Sequence, residues 1–294
     1  MAVVGPTASG KSQVAQSLAE ELSGEIISVD SMQVYRGMDI GTAKPTTGQR
    51  ERIVHHLIDV VEPDAPFTVA DAQRIGRTVI DSAVQPSIIA GGTGLAFRAI
   101  VDPLDFPGED PALRSELEEL STEALCRRLL EVDPAAAEHI DLANPRRLIR
   151  ALEVFGVNGL TPSQRAATPA AAAVRCYQPY YPFRAVGLDP GPGLEERVVA
   201  RFDGMLEAGL LDEVAEIAPR LGRTAAQAVG YKELLPVVAG ERTIADARAD
   251  AIAATLSVAG NQRTYFRRDP RIAWLEWDDD AGVRLERARR ELKI

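Results

Sequence analysis

The sequence has few of the residues that build metal sites or disulfide frameworks. It contains only two cysteines, Cys126 and Cys176, and neither has another cysteine or a histidine near it in the chain. The three histidines follow no metal-ligand spacing either. These absences exclude a thiolate zinc site and argue against a disulfide scaffold. We therefore expect a reduced, cytoplasmic protein.

Long apolar runs and excess positive charge are also missing. No apolar segment approaches the roughly 18 residues needed to cross a bilayer, and no basic region precedes an apolar stretch at the N-terminus, so we expect neither a membrane span nor a secretory signal. The net charge of −10 argues against non-specific binding of nucleic acid. It leaves room for local basic clusters, and arginines do gather at 146–150 and 263–271.

Short apolar strands alternate with helices over the first hundred residues. A helix start is marked at Thr68, with Asp71 three residues on as a capping-box variant. Such alternation predicts an α/β fold, a P-loop NTPase-like parallel sheet flanked by helices. The predicted strands are the apolar runs Ala2–Val4, Glu25–Asp30, Leu57–Val61 and Pro86–Ala90.

The pattern changes to helices without strands between residues 103 and 182. Helix starts are predicted where a capping side chain precedes proline, at Asp110, Asp133 and Asn144. The alanine- and proline-rich stretch 169–174 is expected to form a flexible loop. The chain is predicted to return to the sheet at 184–188 and to form amphipathic helices at 194–209 and 246–268. The resulting domains are a catalytic core, 1–102 with 183–294, and an inserted all-helical domain, 103–182.

A phosphate-binding motif follows the first strand. The motif G-x-x-x-x-G-K-[ST] is matched in full between a strand and a helix, the context it requires. Backbone N–H groups of such a loop point at phosphate oxygens, and the helix N-terminus adds partial positive charge. Lys11 is expected to contact the terminal phosphate, and the Ser12 hydroxyl to hold Mg²⁺. The predicted diphosphate-binding residues are Gly5, Pro6, Thr7, Ala8, Ser9, Gly10, Lys11 and Ser12.

Most loops of this kind hold a nucleoside triphosphate, so an ATP-dependent small-molecule kinase is the first alternative. Two observations weaken it. The strand before Gly91 ends without the carboxylate that usually steadies Mg²⁺, and no arginine-rich lid is evident, although Arg223 and Lys232 could supply charge. The strand-end carboxylate closest in sequence is Asp30.

Beyond the phosphate loop, ordered blocks run along nearly the whole chain. The segment 27–45, ISVDSMQVYRGMDIGTAKP, is joined by HLID, GGT, PRRLIRALEV, MLEAGLLDEV and QAVGYKEL. In these blocks the sequence resembles the tRNA dimethylallyltransferases, also called tRNA isopentenyltransferases. The resemblance implies transfer of a dimethylallyl group from dimethylallyl diphosphate to the exocyclic amine of the adenosine 3′ of the anticodon. Its partner is then the tRNA anticodon stem-loop, and we expect the protein to act as a monomer.

The resemblance also implies roles for individual residues. Asp30 matches the general base and Thr93 a contact to the reacting centre. RNA recognition requires the target base to leave its stack, and a basic surface beside the catalytic core. The positions that match tRNA contacts are Asp30, Ser31, Met32, Gln33, Thr93, Arg114, Arg146, Arg147, Leu148, Ile149 and Arg150.

Each of these residues also has a structural interpretation. Asp30 could cap a helix or lie in the second shell of Mg²⁺, and Thr93 could cap the helix that follows it. Lys44 could reach phosphate or RNA, or be a solvated loop lysine. His55 and His56 are expected to pack or form hydrogen bonds rather than catalyse.

One block departs from the family pattern. The last long helix carries Leu256, Gly260 and Asn261 at three positions that are basic in the family, whereas Gln262 is retained. A glycine inside a helix costs about 1 kcal/mol relative to alanine. Two further alternatives therefore stay open: an isopentenyltransferase acting on free adenine nucleotides, and an RNA-binding protein that has lost activity.

Overall fold

A parallel sheet of six strands organises the larger part of the chain. The computed structural model describes residues 1–294. The strands are β1 (Ala2–Val4), β2 (Glu25–Val29), β3 (His55–His56), β4 (Ser87–Gly91), β5 (Ala185–Leu188) and β6 (Ile272–Leu275). Their order is β3-β2-β4-β1-β5-β6, and every neighbouring pair is parallel. The predicted α/β fold is confirmed, including the return of the chain to the sheet in β5.

Helices cover both faces of this sheet. The helices of this part of the chain are α1 (Lys11–Leu22), α2 (Thr47–Arg52), α3 (Val69–Ser82), α4 (Gly94–Val101), α10 (Leu194–Glu207), α11 (Leu210–Ile217), α12 (Tyr231–Val238), α13 (Ile244–Arg267) and α14 (Ala281–Leu292). Successive strand residues point to opposite faces. Val3 packs in a cluster with Leu18 of α1, whereas Val4 packs in another cluster with Phe97 of α4. All four side chains are buried, so both faces of the sheet are shielded from solvent at these positions.

Contacts divide the chain into two compact units. One contains residues 1–101 and 181–294, which we call the core, and the other contains residues 102–180, which we call the helical unit. The helical unit has no strand and is built from α5 (Pro111–Glu118), α6 (Thr122–Val132), α7 (Pro145–Asn158), α8 (Pro162–Ala166) and α9 (Pro169–Arg175). Its own cluster of buried leucines includes Leu117, Leu125, Leu129 and Leu148. No helix of the protein is long and apolar enough to span a membrane.

The predicted strand at Leu57–Val61 is wrong. The strand there, β3, is only His55–His56, and the apolar run after it is a loop. Leu57 and Asp59 adopt left-handed backbone, with φ of 63° and 53°, which interrupts an extended chain. The N–H groups of Val60 and Val61 both donate to the Val34 carbonyl, and this pins the loop against the segment after β2.

Two predictions in the helical unit are also wrong. Asp133 starts no α-helix: it ends α6 and is followed by a single 3-10 turn, Ala136–Glu138. Its carboxylate accepts hydrogen bonds from the N–H and hydroxyl of Ser163 in α8. The predicted loop at 169–174 is the helix α9, since Thr168 caps it by accepting from the Ala171 N–H, proline occupies its first position and alanine has the highest helix propensity. The caps predicted at Asp110, Asn144 and Thr68 are confirmed.

Candidate active site

The phosphate loop lies between the carboxyl end of β1 and the first turn of α1. Its glycines are required by space and by backbone angle. A Cβ at Gly5 would lie 2.7 Å from the Leu188 carbonyl oxygen, and Gly10 has a φ of +78°. Ala8 is left-handed as well, with a φ of 58°. Alternation of this kind turns successive N–H groups toward one side, which is the geometry that binds phosphate.

One cavity of about 1090 Å³ brings much of the predicted site together. It is lined by the phosphate loop, by the segment after β2 and by a helix that the sequence analysis did not assign to the site. The predicted residues among its lining are Thr7, Ala8, Gly10, Lys11, Ser12, Asp30 and Gln33. The predicted residues of the core that lie outside the lining are Gly5, Pro6, Ser9, Ser31, Met32 and Thr93.

Lys11 projects into this cavity from the start of α1, and its ammonium donates to the Pro6 carbonyl at 3.1 Å. Burial and, less strongly, the positive charge of Arg201 lower the pKa of Lys11 to about 8, and the negative charge of Asp30 opposes the shift. A lowered pKa means that the charged ammonium has too few anionic partners to offset its burial. An anion entering the cavity would restore the missing interaction.

Arg201 of α10 is the main site residue that sequence reasoning missed. Its guanidinium donates to the Thr7 hydroxyl at 3.0 Å and lines the same cavity. Burial lowers the pKa of Arg201, and the charge of Asp30 again opposes the shift. The charge suppliers proposed from sequence, Arg223 and Lys232, do not line the cavity. The available signal was the position of Arg201 four residues before the family block that starts at Met205.

Asp30 directly follows β2, at the edge of the sheet where α/β proteins place their chemistry. Its Oδ1 accepts hydrogen bonds from the N–H of Met32 at 2.9 Å and of Gln33 at 3.4 Å. No helix follows it, so the interpretation of Asp30 as a helix cap is wrong. The carboxylate is held by a turn while it lines the cavity, and its charge acts on both Lys11 and Arg201.

Thr93 joins the ends of two neighbouring strands. Its N–H donates to the Val29 carbonyl at 2.9 Å, and its Oγ1 accepts from the Ser31 N–H at 3.2 Å. The threonine therefore fixes the segment that carries Asp30, and this contact runs between strands rather than along the first turn of α4. Its predicted contact with the reacting centre stays a prediction.

The loop after Asp30 is held by hydrogen bonds and ion pairs of polar side chains. Gln33 accepts from the Ser28 hydroxyl at 2.8 Å and donates to the Thr42 carbonyl at 3.1 Å. Lys44 is 2% exposed and donates to Asp39 at 2.7 Å and to Asp59 at 2.5 Å. The interpretation of Lys44 as a solvated lysine is therefore wrong. Lys44 also lines the cavity, and its contact with phosphate or RNA stays a prediction. His56 binds Glu25 at 2.9 Å, as expected for a structural histidine.

Comparison with known proteins identifies the family. The sequence model of the IPP transferase family matches residues 33–269, and that of the isopentenyl transferase family matches residues 1–59. A tRNA dimethylallyltransferase of Salinispora arenicola is 44% identical, over 97% of this chain and 83% of its own length. Another from Thermobifida fusca is 45% identical, over 95% and 90%. The chain belongs to the tRNA dimethylallyltransferase family.

Solved structures agree with this assignment. A tRNA isopentenylpyrophosphate transferase of Bacillus halodurans superposes with a TM-score of 0.69 at 34% identity, over 98% of this chain and 93% of its own. A eukaryotic dimethylallyltransferase acting on tRNA superposes with a TM-score of 0.80 over 98% and 77%. The second structure is 23% identical, so it supports the fold alone.

In this family member, the arginines predicted to contact tRNA divide into two groups. Arg150 and Arg114 both bind Glu153, at 2.6 and 2.8 Å, and the Glu153 carboxylate is fully buried. Burial on its own raises the pKa of Glu153, but the hydrogen bonds from Arg150 and Arg114 and from the Asp110 N–H outweigh it and hold the pKa below its ordinary value. Two of the predicted RNA contacts thus neutralise an internal carboxylate.

The second group is exposed. Arg146 lies on the surface of α7, and Arg147 is 3.9 Å from Asp141 with most of its side chain in solvent. Both line a cavity of about 540 Å³ together with Arg150 and with Arg165, which the sequence analysis did not single out. The other two predicted contacts of α7 serve packing instead. Leu148 is fully buried and Ile149 packs against the same leucine cluster, so the Leu148 side chain is unavailable to RNA in this structure.

Proposed function

We propose that this protein transfers the dimethylallyl group of dimethylallyl diphosphate to the exocyclic amine of the adenosine 3′ of the anticodon in tRNA, releasing diphosphate. The observation that carries the proposal is the shared cavity of about 1090 Å³, in which two unneutralised cations, Lys11 and Arg201, face the carboxylate of Asp30. The cations suit a diphosphate leaving group, and the carboxylate suits an amine that must lose a proton.

The donor half of the reaction needs negative charge to be stabilised as the allylic C–O bond breaks. Preorganised cations and backbone N–H groups do this in a water-poor site, where their effect is largest. Lys11, Arg201 and the phosphate loop are placed to bind the two phosphates. Diphosphate then leaves with the electron pair of the broken bond.

Mg²⁺ fits the residues at this end of the cavity. No cluster of three or more carboxylate, histidine or cysteine side chains could hold a metal ion by itself. Mg²⁺ in phosphate-binding enzymes takes one or two protein oxygens and completes its shell with water and substrate phosphates. The exposed Ser12 hydroxyl in the cavity supplies one such oxygen. When bound there, Mg²⁺ would neutralise charge on the departing diphosphate.

The acceptor half needs a base. The exocyclic nitrogen forms its new bond to the allylic carbon and releases one proton, which the Asp30 carboxylate accepts. Its Oδ1 is oriented by the Met32 and Gln33 N–H groups, so the turn fixes the carboxylate before substrate arrives. Thr93 positions the same turn through the Ser31 N–H. We propose the loop Asp30–Gln33 as the part of the core that the target nucleotide contacts.

The macromolecular half of the substrate is tRNA. The net charge of the chain is −10, so phosphate binding depends on local arginines rather than on the overall field. Arg146 and Arg147 are exposed and have little internal neutralisation, which makes them the proposed phosphate contacts in the helical unit. A cytoplasmic location and a monomeric state belong to the proposal.

A comparison of acceptors tests the function directly. Purified protein with Mg²⁺ and labelled dimethylallyl diphosphate is offered unmodified tRNA, AMP and ATP in parallel. We expect label in tRNA alone. Label in the free nucleotides would mean that the protein is a nucleotide isopentenyltransferase. Turnover of ATP without any allyl transfer would mean that it is a kinase.

A further inference from the structure

A tryptophan that contacts two arginines lies close to the phosphate loop. The Arg197 guanidinium is 3.8 Å from the centre of the Trp277 ring, and the Arg284 guanidinium is 4.6 Å from it. The indole N–H donates to Asp279 at 2.8 Å, which fixes the plane of the ring. Trp277 and Arg284 lie after residue 269, the last residue that the IPP transferase model matches.

Arg197 connects this stack to Ala8. Its Nε donates to the Ala8 carbonyl at 3.3 Å, and its two terminal nitrogens donate to the carbonyls of Pro190 and Pro192. Ala8 has a left-handed φ of 58°, a conformation that is unfavourable for a residue with a Cβ. A hydrogen bond to its carbonyl opposes relaxation to an ordinary conformation. Because C=O and N–H of one peptide point in opposite directions, holding the Ala8 carbonyl also directs the Ser9 N–H away from Arg197.

Arg284 supports the next part of the loop from the same stack. It is 7% exposed, and a Cβ at Gly10 would lie 3.3 Å from its Nε. One of its nitrogens donates to Gln13 in the first turn of α1 at 3.1 Å, and another donates to the carbonyls of Asp278 and Asp279. The guanidinium therefore packs directly against the loop glycine and the start of the helix that carries Lys11.

The contact of the indole with both arginines has an electrostatic reason. The charge of Arg284 lowers the pKa of Arg197, after the larger effect of burial, so the two guanidinium groups repel each other. An aromatic ring in contact with two cations attracts both of them through its negative face. Gly191 makes room for it, since a Cβ there would lie 2.2 Å from the Trp277 Cβ.

We propose that Trp277 is a positioning residue for diphosphate: through Arg197 and Arg284 it holds the phosphate loop in its binding conformation. We call these three residues the loop brace. This rests on the proposed function only in taking diphosphate as the ligand of the loop. The brace touches neither Lys11 nor Arg201 in its hydrogen bonds, so it acts on the geometry of the loop rather than on the charge in the cavity.

Calorimetric binding of inorganic diphosphate with Mg²⁺ tests this without requiring turnover. Trp277→Leu removes both cation–π interactions and should raise the Kd for diphosphate roughly tenfold. Trp277→Phe keeps an aromatic ring at this position, and its Kd should stay within about threefold of the wild-type value. In steady state, Trp277→Leu should raise the KM for dimethylallyl diphosphate more than it lowers kcat, and leave the Kd for tRNA unchanged.

Trp274→Leu is the matched control. Trp274 is the other tryptophan of the chain and also stacks on an arginine, Arg267 at 4.6 Å, but it makes no contact with the phosphate loop. Its diphosphate Kd should equal that of wild type even if its melting temperature falls. If Trp277→Leu does not fold, Arg197→Lys, which keeps the charge but loses the planar stack and the bond to Ala8, should raise the Kd similarly.

Three outcomes would overturn the inference. Trp277→Leu with a wild-type Kd would mean that the stack does not position the loop. Equal weakening by Trp274→Leu would mean that general stability, not the brace, controls binding. If the wild-type protein does not bind diphosphate at all, both this inference and the proposed use of a diphosphate donor are wrong. That result is distinct from the first two, in which the wild-type protein binds diphosphate.

Discussion

Lys11 and Arg201 in the core differ from Arg114 and Arg150 in the helical unit in what surrounds their charges. The two core cations line a cavity and have lowered pKa values, and Asp30 is the carboxylate whose charge opposes that shift. The two helical-unit arginines bind one buried carboxylate, Glu153, at 2.8 and 2.6 Å. The core thus keeps positive charge available for a ligand, whereas the helical unit uses half of its predicted cluster for internal neutralisation. A cluster of arginines in a sequence does not by itself indicate which of them can bind phosphate.

The largest effect is expected from removing an available charge. Lys11→Met should lower single-turnover transfer by roughly 10²–10³-fold, because the developing charge on diphosphate loses a preorganised cation. Lys232→Met is the matched control, since Lys232 is exposed and does not line the cavity. Equal rates for the two variants would contradict the role of Lys11.

Removing an internally neutralised charge should affect stability instead. Arg150→Ala leaves the buried Glu153 with Arg114 and the Asp110 N–H, and should lower the free energy of unfolding by about 2 kcal/mol. Urea denaturation measures this. A stable variant with a large decrease in tRNA affinity would show that Arg150 belongs with the available charges.

The pH dependence of diphosphate binding sharpens the comparison further. Lys11 is protonated below its pKa of about 8 and loses its charge above it, so affinity should fall by up to about tenfold per pH unit once the pH exceeds that value. Lys11→Arg stays charged and should bind with little change up to about pH 9.5. Calorimetry measures the diphosphate Kd of both proteins across this pH range. A wild-type Kd that does not change with pH would mean that Lys11 does not bind the phosphates.

The smallest effect is expected from the exposed arginines. Arg146→Ala with Arg147→Ala should weaken tRNA binding several-fold. The slope of log Kd against log salt should fall by about 1–2, because each arginine that binds a phosphate contributes about one unit to it. The free energy of unfolding should hardly change, because both side chains are exposed. An unchanged salt slope would mean that neither arginine binds tRNA phosphate.

The predictable parts of the site are those encoded locally. The phosphate loop depends on two glycines at fixed spacing, and Asp30 is marked by the apolar strand that it ends. Arg201 and Arg284 reach the loop and the helix after it from about 190 and 270 residues away, and the residues around them do not reveal those contacts. The error at Leu57–Val61 has a similar cause, since left-handed backbone at Leu57 is stabilised by packing rather than by residue type.

The structure shows the surroundings of the three positions of α13 that depart from the family pattern. Leu256 packs against the buried cluster formed with α10 and α12, whereas Gly260 and Asn261 are exposed on α13. The helix nevertheless runs unbroken from Ile244 to Arg267, and Gln262 accepts a hydrogen bond from the Thr7 N–H at 2.8 Å. The retained glutamine therefore contacts the phosphate loop, while the two exposed positions carry no charge.

Asp30→Asn tests the proposed catalytic site most directly. Asparagine keeps an oxygen that can accept from the Met32 N–H, so the turn survives and only the base is removed. Single-turnover transfer to tRNA and equilibrium binding of tRNA are measured on the same preparation. We expect transfer to fall by a factor of roughly 10² or more while the Kd for tRNA is unchanged. Transfer at the wild-type rate would contradict the assignment of Asp30 as the proton acceptor.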